Sequence, residues 1–544
     1  MDCTASFLPY GQTGYFSKII VDYLNEAPGI QPFYSHPVTI DGLRSSIANR
    51  KQFGTNRSLL VNALKQQYAH LPISEKVQSN ITLLQSEHTF TVCTAHQPNI
   101  FTGPLYFIYK ILHAVKLAEE LKTQFPENDF VPVYYMGSED ADLDELGHIY
   151  ITGEKYQWNT NQTGAVGRMV VDKALLSLLD SFSGQLQVHP SGNEIISIMK
   201  ECYTVGATIE QATFQLVHKL FAEYGVVTLL PDSAALKTAF IPIIKKELLE
   251  GFSHTAVQET ISSYPADYKV QASGRELNMF YLTTDKRERI ELLNNVWSIV
   301  NTELTFTKDE MINELEAHPE RFSPNVILRP VFQEFILPNI AFIGGGGEIA
   351  YWLQLKKVFE AVEIPYPVLV LRNSFVYVPT ETRVLIEKLK FSHLELFRPE
   401  REIMNGFVKR ESSLQLSLSK ELQELRDFYL HIKTLAGNID PTLKQHVEAL
   451  ETMAVKKLAS LEKKMLRAEK RKFEAQQRQL QKIKAQLFPH NNLQERIDNL
   501  MPYYAKWGSC FIKTIYDHSH GLRQEFGILA ERANEPVKRA VCEN

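Results

Sequence analysis

Between Thr89 and about Asn373, short apolar runs alternate with segments of helical period, and no other feature of the chain narrows its fold as much. The runs are Phe90 to Ala95, Val131 to Gly137, Val226 to Leu230, Ile340 to Gly344 and Val368 to Leu371. Helical patterns fall at Leu105 to Leu121, Ile209 to Tyr224, Ala234 to Leu249 and Glu348 to Val362. Such alternation implies βαβ units, hence an α/β chain built on a largely parallel, Rossmann-like sheet. The rhythm breaks at about 145–205 and 252–325, which read as insertions between core strands.

The stretch from Thr91 to Leu121 is the clearest unit: an apolar strand, a His-Gln-Pro-Asn turn, then a long helix. Leu105, Ile108, Leu112, Val115 and Ala118 recur at steps of three and four, so they share one helical face. Thr102 or Gly103 can cap this helix, and Pro104 suits its first turn. A helix opening there would offer free N–H groups and partial positive charge to a phosphate or carboxylate. Most strand-turn-helix units of this kind bind nothing.

Three strand ends carry unusual residues: His96-Gln97-Pro98-Asn99, the acidic segment from Gly137 to Glu145 with His148 following, and Gly344 to Gly347 ahead of Glu348 and Trp352. In a parallel sheet all three lie at the carboxyl edge, where α/β folds bind ligands. His96 is either a turn residue or a contact to substrate or phosphate. The acidic segment either caps a helix or holds Mg²⁺ or an amine, and its five carboxylates exceed what capping requires. The glycines either allow close packing or let the backbone approach a ligand. They match neither a dinucleotide G-x-G-x-x-G, since Ile349 stands at the third glycine's place, nor a P-loop.

The flanks read differently. Residues 1–88 form a mixed N-terminal segment packed on the core, which spans 89–378. From 379 to 488 the chain turns to long polar helices. Leu418, Leu422, Leu425, Tyr429, Ile432 and Ala436 make one coiled-coil seam; Leu443, Val447, Leu450 and Ala454 begin a second, which resumes after a four-residue stutter at Leu458, Leu461, Met465 and Ala468. Two seams joined by Gly437 to Pro441 predict an antiparallel hairpin on the order of 60 to 70 Å long. Its Lys456–Lys484 stretch is basic, read as a solvated face before RNA binding. Residues 489–544, with Ile497, Leu500, Met501, Tyr503, Trp507 and Phe511, are apolar enough to dock back on the body or on a second subunit.

Composition removes some classes. Hydrophobic content of 44% and charged content of 22% are ordinary for a globular chain, and a net charge of -5 argues against wholesale nucleic-acid binding. No eighteen-residue apolar run and no signal-peptide pattern appears, so the expected location is cytoplasmic and no membrane partner is expected. Five scattered cysteines, Cys3, Cys93, Cys202, Cys510 and Cys542, form no C-x-x-C pair, and no zinc site is evident.

These motifs together resemble the BshC family, whose members are named as cysteine ligases of bacillithiol biosynthesis. The likeness runs nearly end to end: TGYFSKIIVDYL and QPFYSHP, HQPNIFTGPLYFIYKILHAVKLAEEL, VPVYYMGSEDADLDELGHI, FAEYGVVTLLPD, GRELNMFYL, LRPVFQEFILPNIAFIGGGGEIAYWLQL and the helical hairpin. In that family His often stands between the acids of the E-D-x-D segment; here the position is Ala141, and that imidazole's role does not carry over.

The resemblance implies a Rossmann-like core with inserted connecting segments and a coiled-coil arm, similar in outline to class I aminoacyl-tRNA synthetases, and a homodimer. It implies addition of cysteine to the amine of glucosaminyl malate; because a free carboxylate must be activated before it meets an amine, ATP or another activating nucleotide is expected, and the acidic segment leaves room for Mg²⁺. No Lys-Met-Ser-Lys-Ser loop is present. The expected catalytic set is His96, Glu139, Asp140 and Asp142. Gln97, Asn99, Thr102, Gly103, Tyr106, His148, Gln333, Gly344, Gly345, Gly346, Gly347, Glu348 and Trp352 are expected to bind substrate or nucleotide. Two other readings stand beside it: a nucleotide-binding transferase of different chemistry, and a coiled-coil scaffold for RNA or protein partners.

Overall fold

The computed structural model describes residues 2–532. Its contacts separate a first unit, made of the chain up to Tyr377 and from Asn492 on, from a second, Val378–Asn491.

The five apolar runs become the five strands of one sheet: β1 (Thr89–His96), β2 (Asp129–Met136), β3 (Val227–Leu229), β4 (Asn339–Gly344) and β5 (Val368–Leu371). They lie in the order β5-β4-β1-β2-β3, every pair parallel. β1, β3, β4 and β5 are buried at every residue, as a sheet covered on both faces requires. The chain steps from β1 out to β2 and β3, then returns to the other side of β1 for β4 and β5. The border between β1 and β4 is therefore the point where winding reverses, and a crevice opens there at the carboxyl ends.

Helix α1 (Tyr106–Gln124) crosses back over the sheet, and its Ala114, Leu117, Ala118 and Leu121 share one apolar cluster with Phe90, Val92 and Ile343 of the strands. Each fully buried Leu or Phe there contributes about 1.5–3 kcal/mol. The expected single apolar face is too narrow a description. Twelve of its nineteen residues are buried, because the C-terminal segment covers the side away from the sheet, where His113 Nε2 meets the Gly521 carbonyl at 2.7 Å.

Its start also departs from expectation. Neither Thr102 nor Gly103 caps it. Ile100–Thr102 is a separate 3-10 turn with Phe101 (φ 48°) and Thr102 (φ 74°) left-handed, and α1 begins two residues after Pro104. Asn499 fills the space, donating to the carbonyls of Phe101 (2.8 Å) and Gly103 (2.7 Å), while the N–H of Leu105 donates to the Asp498 carbonyl. The entrance expected to cradle an anion is closed by the chain itself.

Three further helices position the site: α2 (Ala234–Glu250) after β3, α3 (Arg329–Ile336) before β4, and α4 (Gly346–Trp352) after it. The helix expected to run on to Val362 stops at Trp352 and resumes only at Lys356–Glu360. In the break Gln354 is buried, accepting from the N–H groups of Gln271 and Ala272. The 145–205 insertion holds a two-stranded ribbon (His148–Ile151 with Glu154–Gln157) and two helices. The 252–325 insertion ends in an antiparallel five-stranded sheet that includes Met279–Leu282, Arg287–Leu293 and Phe322–Pro324. Strand Cys3–Pro9 pairs antiparallel with Glu525–Glu531, and Leu500, Met501 and Phe511 are fully buried in the first unit.

In the second unit α5 (Ser419–Ile439) and α6 (Leu443–Lys470) form the hairpin. Lys433 pairs with Glu448 and the Leu418 N–H with Glu462, so the two helices run antiparallel. The arm is shorter than the seams suggest: α6 has 28 residues, about 42 Å, before a 3-10 turn at Arg471–Phe473 interrupts it. No helix among the described residues is long and apolar enough to cross a membrane.

Candidate functional site

At the carboxyl edge of the sheet lies a cavity of about 580 Å³. His96 and Gln97 leave β1, Gly137 to Asp140 leave β2, and Gly345, Gly347 and Glu348 leave β4, and all of these line it. Tyr106 of α1 joins them, as do Phe280, Arg287, Pro324 and Asn325 from the second insertion. Three loops distant in sequence thus meet around one hollow, because parallel strands place their exits side by side.

Burial sets the chemistry of the side chains. His96 is 7% exposed, packed between the rings of Tyr106 and Phe107, and its Nε2 has no hydrogen-bond partner among the described residues. Burial, with Lys110 and Arg372 adding positive charge, holds its imidazole well below the ordinary value, so the ring is neutral at pH 7. Lys110 is buried beneath it, donating to the Ala95 carbonyl (2.9 Å) and paired with Glu348, and burial lowers its ammonium. Glu348 also accepts the Gly345 N–H at 2.8 Å, so the start of α4 is capped by its own carboxylate.

Glu139 is held from behind. One oxygen pairs with the buried Lys237 of α2 and the other accepts from Ser323 Oγ at 3.1 Å. Lys237 also reaches Asp232 (3.2 Å), which Arg168 grips through two hydrogen bonds of 2.7 and 2.9 Å. Burial raises the Glu139 carboxyl despite Lys237. Nearby Glu210 is pushed up to about 7, first by burial and then by the Asp232 and Glu139 carboxylates. This network ties both insertions to the ends of β2 and β3.

The acidic segment does not converge. Asp140 accepts from Gln97 (3.1 Å), Asp142 caps the short helix Leu143–Leu146 through the Glu145 N–H (3.0 Å), and Glu145 lines the cavity separately. No group of three or more metal-ligating side chains comes together among the described residues.

Several expected residues lie off the cavity. Asn99, Thr102 and Gly103 belong to the turn that Asn499 fills, with Asn499 Nδ2 also 3.4 Å from Thr102 Oγ1. His148 turns its Nδ1 to the Asp144 carbonyl at 2.7 Å. Gln333 is fully buried behind Arg329. Gly344 and Gly346 face packed side chains. Trp352 is no cavity wall: it is fully buried and stacked on Phe342 at 4.2 Å, because α4 turns that face onto β4.

Sequence reasoning missed the cations. Lys110, Arg275, Arg287, Arg329, Arg372 and Arg496 all line the cavity, against four carboxylates, Glu139, Asp140, Glu145 and Glu348. Lys110 had a visible signal, a lysine amid the apolar YFIYKILHAV. The arginines had none, since which of them face one another is decided by tertiary structure.

Comparison with known proteins agrees on the family. Residues 3–373 match the family described as "Bacillithiol biosynthesis BshC, N-terminal Rossmann-like domain", and residues 375–531 its C-terminal coiled-coil domain. Relatives named "Putative cysteine ligase BshC" include one from Flavobacterium johnsoniae, 38% identical over 96% of this chain and 99% of its own. Another, from Flavobacterium psychrophilum, is 39% identical over 96% and 98%, and one from Chlorobaculum tepidum is 29% identical over 95% and 97%. A solved arginyl-tRNA synthetase-like chain from Campylobacter jejuni shares 10% identity over 86% of this chain and 99% of its own, with a TM-score of 0.22, a likeness too slight to bear on the fold. Matched through both domains and by relatives along almost their full length, the chain belongs to the BshC family of bacillithiol biosynthesis.

Proposed function

We propose that the protein is a ligase that joins the carboxyl of cysteine to the amine of glucosaminyl malate, forming an amide C–N bond and releasing the thiol bacillithiol. The observation that carries this reading is the cavity at the β1/β4 border, where a neutral imidazole and two anchored cations meet. A free carboxylate and an ammonium do not condense in water. The carboxyl needs a leaving group, and ATP or another nucleotide is the proposed source of it. The amine must then lose a proton to attack, and His96, neutral and with its Nε2 unpartnered, is the proposed acceptor, its basicity rising once an anionic substrate offsets Lys110 and Arg372. Lys110 and Arg372, fixed by Glu348 and Glu495, would face the negative charge that grows on the acyl oxygen or the departing group. Glu139 is already engaged by Lys237 and Ser323, so its part in this reading is to orient the β2 loop.

The test is incubation of purified protein with cysteine, glucosaminyl malate and each nucleoside triphosphate in turn, followed by mass spectrometry for the thiol. One nucleotide should support product, and His96→Ala should lower turnover by about 10²–10⁴-fold with an unchanged melting temperature. Product formed equally well by that variant, or none with any nucleotide, would refute the proposal.

A further inference from the structure

The cavity's cations fall into two kinds. Lys110 is matched by Glu348, Arg372 by Glu495 at 2.7 Å, and Lys237, just behind the wall, by Glu139. Arg287 and Arg329 have no carboxylate within 4 Å among the described residues, although both are partly buried. Arg275 and Arg496 also lack one, but both are exposed, where water suffices.

Neither unmatched guanidinium is loose. Arg287 lies 4.0 Å from the centre of the Phe280 ring and donates to Ser323 Oγ and the Pro324 carbonyl, each at 3.2 Å. Arg329 lies over Tyr135 at 5.6 Å and donates to Gln333 Oε1 (3.1 Å) and to the Tyr351 hydroxyl (2.8 Å). Each side chain thus uses two donor atoms to hold its plane, and a guanidinium carries five N–H groups. Partly desolvated charge without a partner is costly, so a fold that builds two such groups into one cavity gains most when an anion enters. Anchored planar forks suit carboxylates, which they can bind through paired hydrogen bonds.

We propose that Arg287 and Arg329 form a recognition wall for the dicarboxylate end of the sugar substrate, leaving the sugar amine to the strand-end residues. This rests on the substrate proposed above. It makes the second insertion a specificity element, since Arg287 and its Phe280 platform both belong to it.

Titration calorimetry tests this without turnover. Glucosaminyl malate, methyl glucosaminide (the same amino sugar without carboxylates) and ADP are titrated into the wild-type protein and into the Arg287→Gln and Arg329→Gln variants. Wild type should bind glucosaminyl malate at least about a hundredfold tighter than the carboxylate-free glycoside, and each variant should weaken the former about ten- to a hundredfold while leaving the latter unchanged. Equal wild-type affinities, no wild-type binding of glucosaminyl malate, or variants that weaken ADP and not the sugar acid would each overturn the proposal. The wild-type comparison stands even if a variant misfolds. Binding as expected with no thiol product would sink the ligase reading alone; product without this binding pattern would sink the arginine wall alone.

Discussion

A Cβ added to Gly344 would sit 2.8 Å from the Phe342 ring, whereas one added to Gly347 would meet nothing within 4 Å and would enter the cavity. The glycine run, which read either as packing or as ligand approach, thus divides by position: Gly344 serves the contact between β4 and α4, and Gly347 leaves space. One sequence of four identical letters cannot reveal that split, because it depends on where each residue falls as strand becomes helix. Gly347→Leu should therefore separate stability from function. Replacing glycine in a helix gains about 0.5–1 kcal/mol in propensity, so the thermal midpoint should hold or rise. The side chain would occupy cavity volume, so KM for the sugar substrate should rise about tenfold or more, a loss of about 1.4 kcal/mol of binding. An unchanged KM would place the substrate elsewhere.

At the scale of elements, β1 and α1 were the most legible part of the chain, and the turn that joins them was the least. Buried strands and a long apolar helix announce themselves through periodicity. The joint depends on Asn499, some four hundred residues away, whose amide replaces the helix cap that Thr102 or Gly103 was expected to supply. Its Oδ1 accepts from the Met501 N–H at 2.9 Å, so the same residue starts helix Leu500–Trp507. Asn499→Ala would strand two carbonyls in a buried turn. At about 1–3 kcal/mol for each unsatisfied group, the loss of stability should be about 2–6 kcal/mol, readable by urea denaturation. A loss below about 0.5 kcal/mol, the usual range of a surface change, would mean that the turn holds without this residue.

Across the whole molecule, the pattern of alternating runs was enough to find every strand of the parallel sheet, since each had to be apolar on both faces. Where the ligand crevice opens follows from strand order, which pairing alone reveals. The cations that fill it come from α1, α3, the end of β5, the second insertion and the segment after Asn492, so no local motif could gather them. The basic stretch of the arm is a different case. Lys463 and Lys464 of α6 are exposed and make no ion pair among the described residues, and every residue lining the cavity belongs to the first unit. A ligase acting through that cavity has no use for their charge, whereas a scaffold gripping RNA through the arm depends on it. Charge reversal, Lys463→Glu with Lys464→Glu, should therefore leave thiol formation within about twofold of wild type, because solvated surface substitutions stay within about 0.5 kcal/mol. Steady-state assays of product at saturating and limiting sugar substrate decide it: a collapse of turnover with the melting temperature unchanged would give the arm a part in the reaction and count against a chemistry confined to the sheet edge.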